Sequence, residues 1–354
     1  MNSKAVIHYI RPKTANNLSV TLIFLLTLAG LTQAAKADHK SGACAQTSNL
    51  MNMACYAESK DDYFVGLAKC MNEKEQPERR DCRADVRESY AETNEECDEQ
   101  LEARHDVCAA LGEKPYDPEF EPEDFEPDLA NLTTPNPYFP MAVGNHWLLS
   151  DGEETIDIEV LDEIKFVDDI NCFVVRDTVS VDGDLVEDTN DWFAHALDGA
   201  IWYCGEETKD YEFFDGDVPR LPELVSIDGA FKVERDGARA GVSFPAIPTV
   251  GDTYRQEFLL GEAEDVAEVV STNYSFGNDP ELDMNVPADL ANLLCNDDCV
   301  VVKEYSALEP GHFGFKFYAR DIGFFLETSP EEDEVAAQLI ACNFATLCNQ
   351  LPGL

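Results

Sequence analysis

Residues 170–208, INCFVVRDTVSVDGDLVEDTNDWFAHALDGAIWYCGEET, decide how the larger part of the chain is built. Three β-rich runs, 170–181, 185–196 and 200–208, are separated by Asp182-Gly183-Asp184 and Leu197-Asp198-Gly199, residues that close antiparallel hairpins. They predict a three-stranded meander. Pairing the strands about Gly183 and Asp198 sets Arg176 opposite Asn190 and Asn190 opposite Glu206, a polar row and a candidate ligand-binding site. Phe173, Val175, Val179 and Val181 fall on the other face, the core side, because successive strand residues alternate. Asp177 and Asp191 interrupt that apolar face. A slip of one residue would break the row, because it moves a side chain to the opposite face.

Outside the meander, short alternating or β-branched runs recur at 145–149, 155–161, 223–233, 253–260, 266–273, 299–305, 313–319 and 324–327. About ten short strands with Gly or Asp turns predict an antiparallel domain, barrel-like or sandwich, over 138–328. GARAGVSFPAIPTVGD, 237–252, reads as a long Gly/Pro loop. In the tail, 329–354, Ser329-Pro330-Glu331-Glu332 is a helix start, with an N-cap, a Pro at the first position and a capping-box Glu. It predicts a helix from about 330 to 350, docked on the sheet through Val335, Leu339 and Cys342.

The chain before this body has a different character. Residues 1–17 carry Lys4, Arg11 and Lys13 and no acid, Leu18 to Leu31 is apolar, and Ala35-Lys36-Ala37 is a small-x-small cleavage site. This predicts a signal peptide over 1–37, removed on export to a secreted or periplasmic location, with no transmembrane segment in the mature protein. Four of the 25 Lys and Arg leave with it, so 21 remain against 71 Asp and Glu, a formal charge of −50. Such a chain repels nucleic acid and suits a cationic or basic partner. With 44% hydrophobic residues it can still fold around a core.

All 12 cysteines follow the signal, an even number that predicts disulfides. Six lie in 38–112, a segment of good helix formers broken at Gln76-Pro77, which predicts two helices, about 44–74 and 78–111, in an antiparallel hairpin. Cys44 and Cys108, Cys55 and Cys97, and Cys70 and Cys82 are each equidistant from residue 76, so they should form the rungs of a ladder. The other six are harder to pair. Cys342 and Cys348 on one helix would be turned by about 240° and need outside partners, with Cys295 and Cys299 as candidates. Cys172 and Cys204 would have a strand between them at about 4.8 Å per step. Either they bond in another strand order or one pairs with the tail. Between hairpin and body, 113–137 begins EKPYDPEFEPEDFEPD, an acidic Pro-rich linker whose Tyr116, Phe120 and Phe125 could tack it to a neighbouring surface. The fold class is therefore α+β: a disulfide-laddered antiparallel helical hairpin, then an antiparallel β-rich domain with a C-terminal helix.

Catalytic motifs are missing. There is no HExxH or P-loop, and Ser243 in GVSFP lacks the second Gly of a nucleophile elbow. Asp279, Glu281 and Asp283 place oxygens at every second position, as calcium loops do, but without the Gly and terminal Glu of an EF-hand; calcium is the one cofactor the sequence leaves open. FPMAVGNHWLL (139–149), VVRDTV (174–179), DWFAHALDGAIWYCGEET (191–208), FPAIPTVGDTYRQEFLLGEAED (244–265) and LEPGHFGFKFYARDIGFFLE (308–327) resemble a group of secreted bacterial β-meander proteins with no established activity. The likeness covers 136–328, with Cys204 and His195 departing from the pattern, and the hairpin resembles the leader domain that some of the group carry. It implies an exported β-meander body and no reaction. The expectation is an acidic binding or envelope-interaction module of unknown ligand. Its rivals are a carboxylate hydrolase, working in a cleft under 237–252, and a divalent-cation binder.

Overall fold

The computed structural model describes residues 42–330 and 334–353, so the signal segment 1–37 lies outside the described residues. Helices α1 (Ala43–Cys70) and α2 (Gln76–Leu111) form the expected hairpin, joined through 71–75 and with Pro77 in the first turn of α2. All three rungs are present: Cys44–Cys108, Cys55–Cys97 and Cys70–Cys82, with Cα separations of 5.7, 5.8 and 5.6 Å. The seam is polar for a helix pair. Asn52 donates to the Cys97 carbonyl, Ser59 to Asn94 and Tyr56 to Asp98.

The β domain runs β1 (His146–Ser150), β2 (Glu154–Val167), β3 (Ile170–Val181), β4 (Asp184–His195), β5 (Ile201–Glu207), β6 (Asp210–Glu212), β7 (Glu223–Ser226), β8 (Arg239–Phe244), β9 (Thr253–Arg255), β10 (Glu257–Phe258) and β11 (Asp265–Tyr274). Helix α3 (Ala288–Leu294) follows, then β12 (Cys299–Ser306), β13 (Phe313–Ala319), β14 (Gly323–Ser329) and β15 (Glu334–Cys342). The strand order is β10-β8-β5-β4-β3-β2-β1-β15-β14-β13-β12-β11-β9, with β6 and β7 as a side ribbon on β4. Its two end strands, β10 and β9, are separated in sequence by Gln256 alone. Residues 253–258 thus tie both ends of the sheet together, and Gln256 N–H donates to the Asp265 carbonyl at 2.9 Å. The sheet curls nearly into a barrel. A Cβ on Gly241 would lie 2.0 Å from the Gln256 carbonyl oxygen, so glycine alone lets the closing segment cross β8.

Three expectations are corrected. The 237–252 stretch is not one loop, because β8 occupies 239–244 and buries Ala240 and Phe244. Within the 330–350 segment, Glu334–Cys342 is a strand and not part of a helix. It enters the sheet as β15 between β1 and β14, and the chain ends in a short 3-10 helix at Thr346–Gln350. Val335, Ala337 and Leu339 recur at the strand period as well as Val335, Leu339 and Cys342 do at the helical one, and two open strand edges decided between them. With the helix gone, Cys342 and Cys348 lie across a turn and bond to each other, as do Cys295 and Cys299.

The third correction concerns Cys172 and Cys204, which are bonded although the meander order β3-β4-β5 is kept, so neither alternative read from the sequence holds. The pairs His195↔Ile201, Ala194↔Trp202 and Phe193↔Tyr203 follow the expected register, and then Trp192 meets Gly205, leaving Cys204 in a bulge. A bulge bends and twists its strand, and the buried Ala194 of the intervening strand is small enough to be bridged over; the Cα atoms lie 6.8 Å apart.

The linker is tacked down. Phe120 and Phe125 pack against Trp202, and Tyr116 donates to the Ala240 carbonyl. The hairpin is held to the barrel by Arg104 of α2, whose Nε and Nη2 each donate at 2.9 Å to the buried Glu264 carboxylate, and by Gln100, which donates to the Leu308 carbonyl. Among the described residues no helix is long and apolar enough to cross a membrane.

Candidate functional site

The row Arg176–Asn190–Glu206 does not assemble. Arg176 does face Asn190, but the Cys204 bulge shifts β5 by one residue, so Asn190 meets Glu207 while Glu206 pairs with Asp191. Arg176 is exposed and forms a bidentate pair with Asp188 at 2.8 and 3.1 Å, whereas Glu206 is buried on the inner face. An exposed pair of this kind contributes little. Arg176→Ala is therefore expected to lower the unfolding free energy by less than about 1 kcal/mol in urea titration; a loss several times larger would show that the residue does more than decorate the surface.

The calcium-like loop is also explained without a metal. Asp283 accepts from the Tyr274 hydroxyl and the Gly277 amide, and Asp279 accepts from the Glu281 amide, so two of its three acids fix the loop itself. Asp279, Glu281 and Asp283 do not converge, and among the described residues no three His, Cys, Asp or Glu side chains are placed to hold one ion.

What the barrel does assemble is a cavity of about 180 Å³, room for on the order of ten waters. Its polar wall comes from Asp177 of β3, Asp191 of β4, Glu257 of β10, Asp265 of β11, and Glu304 and Lys316 of β12 and β13. Its apolar wall comes from the 138–141 segment, β1, β2 and β14, through residues such as Met141, Trp147, Ile158, Val160 and Phe324. Most of the charged strands flank the closure at 253–258 and the apolar ones lie across the circumference, so the cavity has two poles.

At the polar pole the Tyr203 hydroxyl bonds both Asp191 and Glu206. A phenol has one proton, so one of these contacts requires a proton on a carboxyl group. Burial, with the neighbouring Glu257 and Asp191 charges, pushes Glu206 well above the ordinary carboxylate range. Burial, Asp265 and Asp191 do the same for Glu257. Asp265 is pushed up to about 7, mainly by burial, with a hydrogen bond from Ser306 opposing the rise. Burial alone would discharge Lys316, but Glu304, in contact at 2.6 Å, and Glu327 outweigh it and hold the ammonium charged. Gln256 donates to the other Glu304 oxygen at 2.8 Å.

Of the residues singled out in the sequence for a site, only Glu206 belongs to this cluster. The legible signal was the break in the inner face at Asp177 and Asp191; the same signal, a charge at an inward position of an apolar strand, recurs at Glu304 in VVVKEYS and Lys316 in FGFKFYA. No protein-family model, no curated protein and no solved structure matches the chain.

Proposed function

We propose that this protein is an exported binding module that holds a small ligand inside its barrel. The supporting observation is the cavity itself, a mostly apolar concave surface with a few convergent polar groups, which is the usual form of a small-molecule site. Six disulfides with no cysteine left free support an oxidising, extracytoplasmic location. Binding to the folded state raises the unfolding midpoint, so a thermal scan against cationic, neutral and anionic small molecules should find at least one stabiliser. Val175→Phe, which fills the cavity from β3, should abolish that shift. A panel with no stabiliser, or an equal shift in the filled variant, would sink the reading.

A carboxylate hydrolase in the same cavity is favoured by one observation, the chain Glu206–Tyr203–Asp191, whose Tyr203 and Asp191 line the cavity, since two carboxyl groups sharing a phenol proton are the equipment of general acid catalysis. Turnover of a ligand that the cavity binds, lost in Glu206→Gln without loss of binding, would establish it.

A further inference from the structure

We infer that the ligand is an amphiphilic organic cation, an ammonium or guanidinium head carried on an aliphatic or aromatic body, with the head seated against Glu257 and Asp265. The inference rests on the reading of the barrel as a binding cavity and names the chemistry of its occupant. Five carboxyl side chains line the cavity, and the only cationic side chain among its lining residues is Lys316, whose ammonium is already engaged by Glu304 at 2.6 Å. Glu257 and Asp265 are 3% and 4% exposed, and Glu257 Oε2 and Asp265 Oδ1 have no hydrogen-bond partner. Buried acceptors without donors are costly, and both carboxyl groups belong to residues that line the cavity. A ligand bearing several N–H donors satisfies both; an anion would add to the repulsion.

A bare divalent ion fits less well. It needs several oxygens within about 2.0–2.6 Å of one point, and among the described residues no such group of three acids exists. An ammonium or guanidinium spreads its donors over a wider span and tolerates dispersed acceptors. The aromatic lining, Tyr138, Phe193, Tyr203, Tyr318 and Phe324, suits it too, because aromatic rings attract a cation once water is excluded. Across the cavity, Met141, Trp147, Ile158 and Val160 are free of charge and accommodate the body, for which the space admits roughly ten non-hydrogen atoms.

Proton exchange accompanies such binding. Facing Asp265 and Glu257 are Asp191 from β4, Glu304 from β12, Lys316 from β13, Glu264 just before β11, Glu309 after β12, itself pushed up to about 7 by burial and by Asp265, and Glu206 from β5 next to Asp191. Without a ligand this crowd of acids keeps protons that a cation displaces, since an opposite charge favours the ionised form. Affinity should therefore rise as pH rises through about 7, where Asp265 ionises, and each cation bound should release protons.

The test is calorimetric titration of the full disulfide-bonded protein with hexylammonium and 2-phenylethylammonium, beside the uncharged 2-phenylethanol, the anionic 3-phenylpropionate and calcium. The ammonium ions should bind at least tenfold tighter at pH 8 than at pH 5.5, with proton release read from buffers of different ionisation enthalpy. Glu257→Gln and Asp265→Asn should each weaken them tenfold or more and flatten the pH dependence. Both substitutions keep shape and leave a neutral group where burial already favours one, so the variants should fold; the pH dependence of the unaltered protein is an independent readout. If the alcohol or the carboxylate binds as well as the ammonium, and Val175→Phe blocks it, the cavity reading stands and the cation inference falls. Calcium binding lost in Asp265→Asn would replace the organic cation by a metal. If no probe binds in a way that Val175→Phe alters, both readings fall.

Discussion

Opening the three hairpin rungs is expected to unfold α1 and α2 while the barrel persists. The helices span 28 and 36 residues, yet the buried positions of α1 are Ser48, Ser59 and Cys70, and those of α2 are Cys97, Arg104, Val107 and Cys108. Leu50, Met53, Phe64 and Met71 stay exposed, so little apolar burial holds the pair together. Each bridge contributes about 2–4 kcal/mol, less than additively because the closed loops are nested. Losing all three exceeds what a few polar seam contacts return, at about 1 kcal/mol apiece. Replacing the six cysteines by serine should remove most of the 222 nm helical signal. The barrel has its own reporter, because all three tryptophans, Trp147, Trp192 and Trp202, lie in β strands of the body. Their fluorescence should stay native. A hairpin that keeps its helicity without the rungs would show that packing against the barrel, through Arg104 and Glu264, suffices.

The protein should also lose stability as pH rises from about 4.5 to 8. Glu206, Glu257 and Asp265 have folded-state pKa values above their ordinary ones, Asp265 at about 7, so the native state holds protons that the unfolded chain releases. Their contribution is fully present below the unfolded carboxylate pKa near 4 and is lost as pH passes through the folded values. At 1.36 kcal/mol per unit, the rise for Asp265 alone corresponds to on the order of 4 kcal/mol. Asp265→Asn should flatten the decline. General repulsion among the surface acids acts in the same direction but is screened by 1 M salt, whereas the buried cluster is not. A midpoint that climbs from pH 5 to 8, or a decline abolished by salt, would contradict the protonated interior.

Much of the architecture was legible in local chemistry. Good helix formers, Pro77 and cysteines spaced evenly about residue 76 specify the hairpin and its ladder, since a helix hairpin matches residues equidistant from its turn. The Asp-Gly punctuation specifies the β3–β4–β5 meander. What local chemistry left open was settled by distant edges. The tail carries apolar residues at both the helical and the strand period, and it became β15 because β1 and β14 each had an unpaired side. The site depended on one inserted residue: the Cys204 bulge turns Glu206 inward beside Asp191 and leaves Asn190 facing Glu207, and no turn signal announces a bulge several residues away. The acids of the cavity come from β3, β4, β10, β11 and β12, with Glu206 of β5 beside Asp191, so only closure of the sheet through 253–258 brings them together. Alternation along a strand determines which side chains point inward; which of them meet depends on how the ends of the sheet join.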